Sequence, residues 1–480
     1  MTPDQSSLIA AVAAQFGAAS VVADPQIIAP WLGDWRGRYH GASPAMLVPR
    51  TTREVAAIVA LAAEHRVPLV PQGGNTSMVG GATPPADGSA LLISLRRMNQ
   101  IRELSGTGRS ATAEAGVILQ ALHDAAAGAG LRFPLTLGAR GTATIGGLVA
   151  TNAGGTQVLR HGTMRALVMG LEAVLPDGSI YDGLAALKKD NRGYDLDQLL
   201  VGAEGTLGIV TAARLKLVPA IRDRAVAWVG LESPAVALDL LRAIDGPAIE
   251  SFEILPGESL VRVLRNIPDA RAPLAGSHPW HVLIEAVAAG DDDRDPRVVL
   301  TDALALGLER GWIADATIGA SEAQAEAFWA LRDGLSAAER AAGPAVQHDI
   351  AVAVDAMPGF LVETARAVEA RFPGTHASGF GHLGDGNVHF HVRAPDGVDA
   401  AAWYRDAAPG ITRFVHDAVV AAGGTISAEH GIGQMKRAEL ERVGPPARLG
   451  AIRAIKHALD PLGIMNPGKL VALAEPGCDQ

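Results

Sequence analysis

Three histidines lie within ten residues in the stretch GFGHLGDGNVHFHV, residues 379–392, around an Asp-Gly pair. Asp-Gly between two apolar runs predicts a two-residue hairpin turn, because glycine tolerates the positive φ angle that this turn requires. In that register His382 lies opposite His389, with Cβ atoms about 5 Å apart, and His391 shares their face. Two neighbouring imidazoles with an open side predict half of a metal site; polar residues on a half-buried strand are the alternative.

A glutamate and a histidine are adjacent in SAEHGIGQMKR, residues 427–437. Adjacent side chains on regular structure point in different directions, so Glu429 can bind a metal while His430 faces a substrate. Together with the hairpin histidines, Glu429 would complete a His, His, Glu site with open positions, which is a catalytic arrangement. The alternative is a helix that begins here with Ser427 as its cap.

Three glycine-rich segments, residues 71–81, 134–155 and 201–211, form a second candidate site. In the first, Gly73 to Ser77 follow a buried-looking strand, and consecutive glycines allow backbone N–H groups to converge on a phosphate or pyrophosphate. Plain turns are the alternative for any one segment. Three such segments of small, largely uncharged residues favour a large flat ligand, and a dinucleotide fits better than a single phosphate.

The elements that must position these residues follow an α/β pattern from Met46. A helix over residues 51–65 separates two short strands, and LEAVLPDGSIYD predicts a hairpin. After Pro219 the chain changes to Ala-rich helices and separate strands, which predicts a domain boundary. The literal G-x-G-x-x-G at residues 379–384 is not a dinucleotide fingerprint, because a strand rather than a helix follows it.

Composition excludes several classes of protein. A chain of 480 residues with 48% hydrophobic residues predicts two or three ordered domains. The net charge of −10 and the lack of basic runs argue against nucleic acid as a partner. The one cysteine, Cys478, excludes a disulfide framework and a cysteine metal cluster. No run approaches the ~20 apolar residues of a membrane span, and a secretory n-region is missing, so we expect a cytoplasmic protein.

Six motifs, in this order, identify a family: PQGGNTSMVGG, LGARGTATIGGLVATNAGG, KKDNRGYDLDQLLVGAEGTLGI, GHLGDGNVH, SAEHGIG and NPGKL. The chain resembles the FAD-linked 2-hydroxy acid dehydrogenases of the vanillyl-alcohol oxidase superfamily over about residues 34–470. The first and third motifs are most similar to the branch that oxidises D-2-hydroxyglutarate to 2-oxoglutarate. D-lactate and glycolate dehydrogenases share most of the others.

The resemblance implies an α+β fold, with a vanillyl-alcohol oxidase type FAD-binding domain and a substrate domain whose antiparallel sheet is flanked by helices. We expect the FAD-binding part at residues 1–220, the substrate domain at 221–425, and a segment that returns to the flavin at 426–480. The resemblance also implies FAD, a divalent metal described as zinc, a homodimer, and an electron acceptor such as electron-transfer flavoprotein, a quinone or a cytochrome.

The motifs also imply residue roles. His382, His389 and Glu429 match the metal ligands, and His430 matches the catalytic base. Substrate contacts fall on Arg332, Ser336, Gln347 and His391. Cofactor contacts fall on sixteen positions of the glycine segments and the C-terminus: Pro71, Gly73, Gly74, Asn75, Thr76, Ser77, Gly138, Thr142, Gly146, Gly147, Asn152, Gly155, Glu204, Gly205, Ile209 and Asn466.

The implied reaction has the metal chelating the hydroxyl and one carboxylate oxygen of a D-2-hydroxy acid, while His430 takes the hydroxyl proton and hydride passes to flavin N5. Two departures bear on the substrate. Gln347 occupies a position where relatives often carry lysine, and His391 replaces an asparagine of some hydroxyglutarate-specific relatives. A metal-dependent hydrolase and a non-catalytic nucleotide-binding regulator are the competing hypotheses from other classes.

Overall fold

The computed structural model describes residues 1–185, 187, 189–244 and 246–472. The chain divides into two compact units. The first consists of residues 1–155, 162–219 and 429–480, and the second of residues 156–161 and 220–428. Both units are therefore built from segments that are far apart in the sequence.

The first unit contains two main sheets and a two-stranded ribbon. The four-stranded sheet pairs, in spatial order, Val21–Val22, Met46–Leu47, Leu91–Ser94 and Leu69–Gln72, and its last three strands are parallel. The five-stranded sheet is antiparallel, in the order Ile101–Ser105, Ser110–Glu114, Ile209–Lys216, Val168–Val174 and Ile180–Asp182. Leu131–Arg132 pairs with Val218–Pro219.

Short helices surround these sheets: Pro3–Phe16, Pro25–Leu32, Thr52–Glu64, Leu119–Gly128, Ile145–Thr151, Met164–Leu167, Leu196–Leu200, Arg437–Val443 and Pro446–Leu459, with a 3₁₀ turn at Ala18–Ser20. The helix Thr52–Glu64 shows why these elements form. The Thr51 hydroxyl caps it by accepting the Glu54 N–H. Val55, Ile58 and Val59 are then buried on one face, as helical periodicity requires.

The second unit is built on one seven-stranded antiparallel sheet. Its strands, in spatial order, are Asp315–Ile318, Asp223–Leu231, Trp280–Ala288, Ile249–Pro256, His376–His382, Asn387–Arg393 and Ala345–Ala351. Strands covered on both faces read as continuous apolar runs, and eight successive positions of Ile249–Pro256 are buried.

Helices cover both faces of this sheet. One face packs Ala227, Ile254 and Phe390 against four helices: Pro234–Ile244, Pro296–Glu309, Met357–Arg371 and Ala408–Ala421. The other face packs Trp228, Leu283 and Phe380 against three helices: Gly257–Asn266, Glu322–Asp333 and Leu335–Ala341. Two further helices, Val158–His161 and Ala400–Asp406, belong to this unit.

The secondary-structure predictions are confirmed at several points. The predicted helix over 51–65 is Thr52–Glu64, and LEAVLPDGSIYD forms the hairpin Val168–Val174 with Ile180–Asp182. The G-x-G-x-x-G at 379–384 leads into the strand Asn387–Arg393, as expected. Among the described residues, no helix is long and apolar enough to cross a membrane.

Candidate functional site

The histidine hairpin, strands His376–His382 and Asn387–Arg393, does not have the register predicted from its Asp-Gly pair. His382 pairs with Asn387, and His389 pairs with Phe380. The connection is a four-residue loop, closed by the Gly386 N–H donating to the His382 carbonyl at 3.0 Å. The predicted direct pairing of His382 with His389 is therefore wrong.

Tertiary contacts explain the longer loop. Leu383 is buried in the core, and its N–H donates to the Phe252 carbonyl at 3.0 Å. The Gly386 carbonyl accepts the Val352 N–H at 3.1 Å. These contacts with neighbouring strands outweigh the local preference for a two-residue turn.

The hairpin histidines nevertheless share one face of the sheet. The register is shifted by two residues, and a shift of two preserves the face on which each side chain lies. His382 and His389 are diagonal neighbours, with ring centroids 5.6 Å apart. His391 lies on the same face, 5.1 Å from the Phe380 ring. The structure thus brings the two predicted histidine ligands together within the second unit.

A buried carboxylate, Glu253, joins this face to the helix Glu322–Asp333. Glu253 Oε1 accepts a hydrogen bond from His382 Nδ1 at 2.6 Å. Glu253 Oε2 accepts from Arg332, at 2.8 Å from Nε and 2.7 Å from the terminal nitrogen. Burial alone raises the pKa of Glu253, but Arg332 and His382 hold the pKa below its ordinary value. Arg332 is therefore buried, paired and adjacent to the predicted metal ligand.

Of the other predicted substrate contacts, two lie on the histidine face and one does not. Gln347 pairs directly with His391 across neighbouring strands, so these two side chains share the histidine face. Next to them Asp349 pairs with His389, and Asp349 Oδ1 accepts from Asn387 Nδ2 at 3.1 Å. Ser336 lies instead on the exposed side of the helix Leu335–Ala341.

In the first unit, the first two glycine segments pack backbone to backbone. A Cβ atom on Gly73 would lie 2.1 Å from Thr144 Oγ1, and one on Gly74 would lie 1.9 Å from the Thr142 carbonyl oxygen. Gly74 requires glycine because its neighbour is backbone, whereas a side chain at Gly73 would force the Thr144 hydroxyl to turn away. Asn75 has a φ of 54° and donates to the Gly33 carbonyl at 2.8 Å. The Ser77 hydroxyl accepts the Gly81 N–H at 2.9 Å, and Thr76 lies between them at intermediate exposure.

The third glycine segment and the C-terminal motif meet at the same place. A Cβ atom on Gly205 would lie 2.6 Å from Pro71 Cγ and 3.8 Å from Asn466 Nδ2. Asn466 Nδ2 donates to the carbonyls of Glu204 at 2.7 Å and Gly81 at 3.0 Å. Glu204, Gly205 and Asn466 all have positive φ angles. Left-handed backbone at non-glycine residues costs energy and is concentrated at functional sites.

The remaining predicted cofactor positions differ in exposure. Gly138, Thr142 and Gly147 are exposed. Gly146 and Gly155 are explained by packing, because Cβ atoms there would lie 2.6 Å from Ala115 Cβ and 2.3 Å from the Thr136 carbonyl oxygen. Two further positions have structural contacts: Asn152 Oδ1 accepts the Arg165 N–H at 2.9 Å, and the Ile209 side chain is buried in a core.

Glu204 also holds the segment that follows Glu429 and His430. Its two carboxylate oxygens accept the N–H groups of Ile432 at 2.8 Å and Gly433 at 2.7 Å. Burial raises the pKa of Glu204, while these N–H groups and nearby lysines oppose the rise. Residues 427–436 are irregular, and the next helix begins at Arg437, so no helix begins after a Ser427 cap.

The predicted site residues are thus distributed over both units. Glu429 and His430 belong to the first unit, as do all the predicted cofactor contacts, whereas His382, His389, Arg332, Gln347, Ser336 and His391 belong to the second. The assembly of Glu429 with the two histidines stays a prediction.

The residues fit the two groups that the sequence implies. At the glycine cluster, the buried atoms Thr144 Oγ1 and Asn466 Oδ1 make no hydrogen bond within the described part of the chain. Buried polar atoms require partners, and an elongated polar cofactor beside closely packed backbone would supply them. On the histidine face, two neighbouring imidazoles are suitable donors for a divalent transition metal.

Sequence reasoning missed Glu253 and the loop-holding role of Glu204. A signal for Glu253 was present, since a charged residue inside the apolar run IESFEILP must be paired if that strand is buried. The signal for Glu204 was weaker, because its partners are backbone N–H groups more than two hundred residues away in sequence.

Comparison with known proteins shows the family of the chain. Residues 43–183 match the FAD binding domain, and residues 221–470 match the C-terminal domain of FAD linked oxidases. A D-2-hydroxyglutarate dehydrogenase from Xanthomonas citri pv. viticola is 37% identical, with 91% of each chain covered. A mitochondrial D-2-hydroxyglutarate dehydrogenase from Bos taurus is 36% identical over 94% of this chain and 81% of its own length.

Solved structures show the same fold at low identity. The p-cresol methylhydroxylase structure with substrate bound has a TM-score of 0.73 and 15% identity, and covers 98% of this chain and 97% of its own. The 4-ethylphenol oxidase from Gulosibacter chungangensis has a TM-score of 0.70 and 18% identity, with the same coverage.

The fold is of the vanillyl-alcohol oxidase type, which confirms the predicted fold class, and the match to the FAD binding domain makes the protein an FAD-binding enzyme. The chain belongs to the family of FAD-linked oxidases and is an FAD-dependent dehydrogenase. The family resemblance recognised from the six motifs is likewise confirmed.

Proposed function

We propose that this enzyme oxidises a D-2-hydroxy acid, with D-2-hydroxyglutarate as the substrate and 2-oxoglutarate as the product. The observation that carries the proposal is the pairing of Arg332 with the histidine face, where the Arg332 terminal nitrogen lies 3.3 Å from His382 Nε2. A guanidinium beside an imidazole ligand suits a substrate that presents a carboxylate next to a metal-binding hydroxyl. The names of the relatives support the same substrate.

Each residue then has one task. Arg332 binds the carboxylate of the substrate through a planar two-pronged contact. His430 accepts the hydroxyl proton as the Cα–H bond breaks, leaving a 2-oxo acid. His382, His389 and Glu429 would hold a divalent metal, for which zinc is our first choice. Such a metal, when bound, lowers the pKa of the coordinated hydroxyl.

FAD, when bound, accepts the hydride at N5 and so carries the two electrons of the reaction. We assign its binding to residues 1–220, the substrate-binding role to residues 221–425, and the return to the flavin to residues 426–480. Pro71, the glycines of the three segments and Asn466 would contact the cofactor. The proposal also includes reoxidation of the flavin by electron-transfer flavoprotein, a quinone or a cytochrome. It further includes a homodimeric state and a cytoplasmic location.

The distal end of the substrate distinguishes D-2-hydroxyglutarate from the alternatives within the family. D-2-hydroxyglutarate carries a second carboxylate. Gln347, where relatives often have lysine, and His391, where some hydroxyglutarate-specific relatives have asparagine, offer hydrogen-bond donors to it. D-lactate and glycolate lack that carboxylate and are the alternatives within the family. The metal-dependent hydrolase, by contrast, would leave the FAD-binding cluster without a role.

An anaerobic titration of the purified flavoprotein with D-2-hydroxyglutarate, D-malate, D-lactate and glycolate tests the proposal. We expect D-2-hydroxyglutarate to bleach the visible flavin band at the lowest concentration. Bleaching by D-lactate or glycolate instead would reassign the substrate, and bleaching by none would reject the proposal.

The matched variant is His430→Ala. It should retain FAD but lose flavin reduction by at least about a hundredfold, since general bases contribute that much or more. A near-normal reduction rate in this variant would exclude His430 as the base.

A further inference from the structure

Glu253 is a buried charge whose position needs a reason. It lies in the strand Ile249–Pro256, in which every side chain is buried, and is itself only 1% exposed. A buried carboxylate is costly unless it is fully paired, and replacing such an ion pair with apolar residues is often neutral for stability. Stability alone therefore does not account for Glu253.

Its two oxygens divide their contacts between two elements. Oε1 accepts from the hairpin, through His382 Nδ1, and Oε2 accepts from the helix Glu322–Asp333, through Arg332. Because an ionised carboxylate only accepts hydrogen bonds, the proton of the His382 ring must be on Nδ1. In the neutral ring Nε2 then carries the lone pair, which is the state a metal ligand requires.

We propose that Glu253 is a positioning residue that fixes His382 as an Nε2 metal ligand and aligns Arg332 beside it. This inference rests on the proposed function, because it takes His382 as a ligand of the metal and Arg332 as a ligand of the substrate. It adds that one carboxylate sets the geometry of both, so metal affinity and substrate affinity depend on the same side chain.

The variant Glu253→Gln tests this inference with little change in shape. If the amide oxygen of the introduced side chain faces Arg332, its NH₂ group donates to His382 Nδ1 and moves the ring proton to Nε2. If the amide oxygen faces His382, the NH₂ group meets the Arg332 N–H groups, donor against donor. The first arrangement reverses the hydrogen bond with His382 and so places its ring proton on the wrong nitrogen, and the second breaks the contact with Arg332.

Glu285→Gln is the matched control. Glu285 pairs with Ser251 on the adjacent strand, so it lies on the same face as Glu253, and it is also buried. It accepts from Trp329 Nε1, which lies on the same helix as Arg332. Both glutamates thus tie the sheet to one helix, but of the two only Glu253 bonds to a predicted metal ligand in the described structure.

The measurement is a titration of each FAD-loaded protein with Co²⁺, followed by visible absorption. We expect Glu253→Gln to raise the Co²⁺ dissociation constant by about 10–100-fold, as loss of a partner that orients a ligand does, and Glu285→Gln to leave it unchanged. At saturating metal, Glu253→Gln should still raise KM more than it lowers kcat, because the alignment of Arg332 is also lost.

The possible outcomes distinguish a failure of the inference about Glu253 from a failure of the proposed function. If the wild-type protein binds Co²⁺ and Glu253→Gln binds it equally well, the inference is overturned while the proposed function stands. If the wild-type protein binds no stoichiometric metal, the metal part of the proposed function fails and the inference fails with it.

A measurement on the wild-type protein covers the case in which Glu253→Gln does not fold. In Zn²⁺-loaded protein labelled with ¹⁵N-histidine, His382 should show a protonated Nδ1 and a metal-bound Nε2, with its signals assigned by their loss in His382→Gln. Ligation through Nδ1 would overturn the inference.

Discussion

Replacing Glu204 with glutamine should loosen the segment that follows Glu429 and His430. The Glu204 carboxylate accepts two N–H groups, from Ile432 and Gly433, at 2.8 and 2.7 Å. Hydrogen bonds to a charged partner contribute about 1.5–3 kcal/mol each. Glutamine offers one oxygen and one NH₂ group, so it can satisfy one N–H group while its own donor faces the other.

The expected loss is therefore at least one charged hydrogen bond, or about 1.5–3 kcal/mol. Since each 1.4 kcal/mol corresponds to a factor of ten, the local opening equilibrium of this segment should shift by about 10–100-fold. Hydrogen exchange followed by mass spectrometry on peptides covering residues 429–436 measures that shift directly. Flavin reduction should slow as well, because a misplaced catalytic base loses rate steeply with distance.

Glu172→Gln is the control for this experiment. Glu172 is a partly buried carboxylate of the first unit, and it accepts hydrogen bonds from Thr52, Thr211 and Arg102 instead of from residues 432 and 433. Its replacement should leave exchange in residues 429–436 unchanged. Unchanged exchange in Glu204→Gln, or an equal increase in both variants, would refute the reasoning.

Two further predictions concern the cofactor cluster and the second unit. Gly74→Ala should abolish FAD retention after gel filtration, because its Cβ atom would lie 1.9 Å from the Thr142 carbonyl oxygen, whereas Gly128→Ala, outside the three glycine segments and with no atom within 4 Å of its Cβ, should keep FAD. Burial, and secondarily the charge of His278, lowers the pKa of His281 from 6.5 to about 4. As the pH falls, His281 therefore gains its proton at a higher pH in the unfolded chain than in the folded chain. The free energy of unfolding, measured with urea, should fall by about 3 kcal/mol between about pH 6.5 and 4. His281→Gln, which retains an acceptor for Trp228 Nε1, should lack that loss; an identical pH profile would contradict the assignment.

Much of the fold could be read from local pattern. The helix Thr52–Glu64 has a cap, a helical apolar face and several alanines, which favour helix, so its type and bounds follow from a few adjacent residues. The hairpin at residues 168–182 has a Pro-Asp-Gly turn between alternating runs. Both elements are specified by residues that are close in the sequence.

The register of the histidine hairpin could not be read in this way. Its Asp-Gly pair favours a two-residue turn, but the buried Leu383 and the bond from Val352 to Gly386 lengthen the loop. Val352 and Phe252, which bond to this loop, lie elsewhere in the sequence, so local sequence does not reveal them. The shared face was still predicted correctly, because the side-chain period of a strand survives a shift of two residues.

In the candidate site, the sequence predicted the residues that belong to motifs but not the contacts that explain them. Gly73 and Gly74 were recognised by type, although the reason for each, close approach to Thr144 and Thr142, lies some seventy residues away. Glu253 and the loop-holding role of Glu204 were out of reach of motif reasoning because each acts through partners that only the folded chain brings to it. Carboxylates inside apolar runs are the most useful feature to search for in similar chains.

The first unit is built from separate segments of the chain, and this has a consequence for protein synthesis. Leu69 accepts the Asn466 N–H and donates to the Ile464 carbonyl, each at 2.8 Å, so a strand made early is completed by residues made almost four hundred positions later. Lys456 adds a buried bond from the same late segment to the Thr206 carbonyl at 2.7 Å. Domains generally fold as units during translation, N-terminal ones first. Here the cofactor cluster cannot close until residue 466 has left the ribosome, so the nascent chain must carry an incomplete first unit throughout the synthesis of the second.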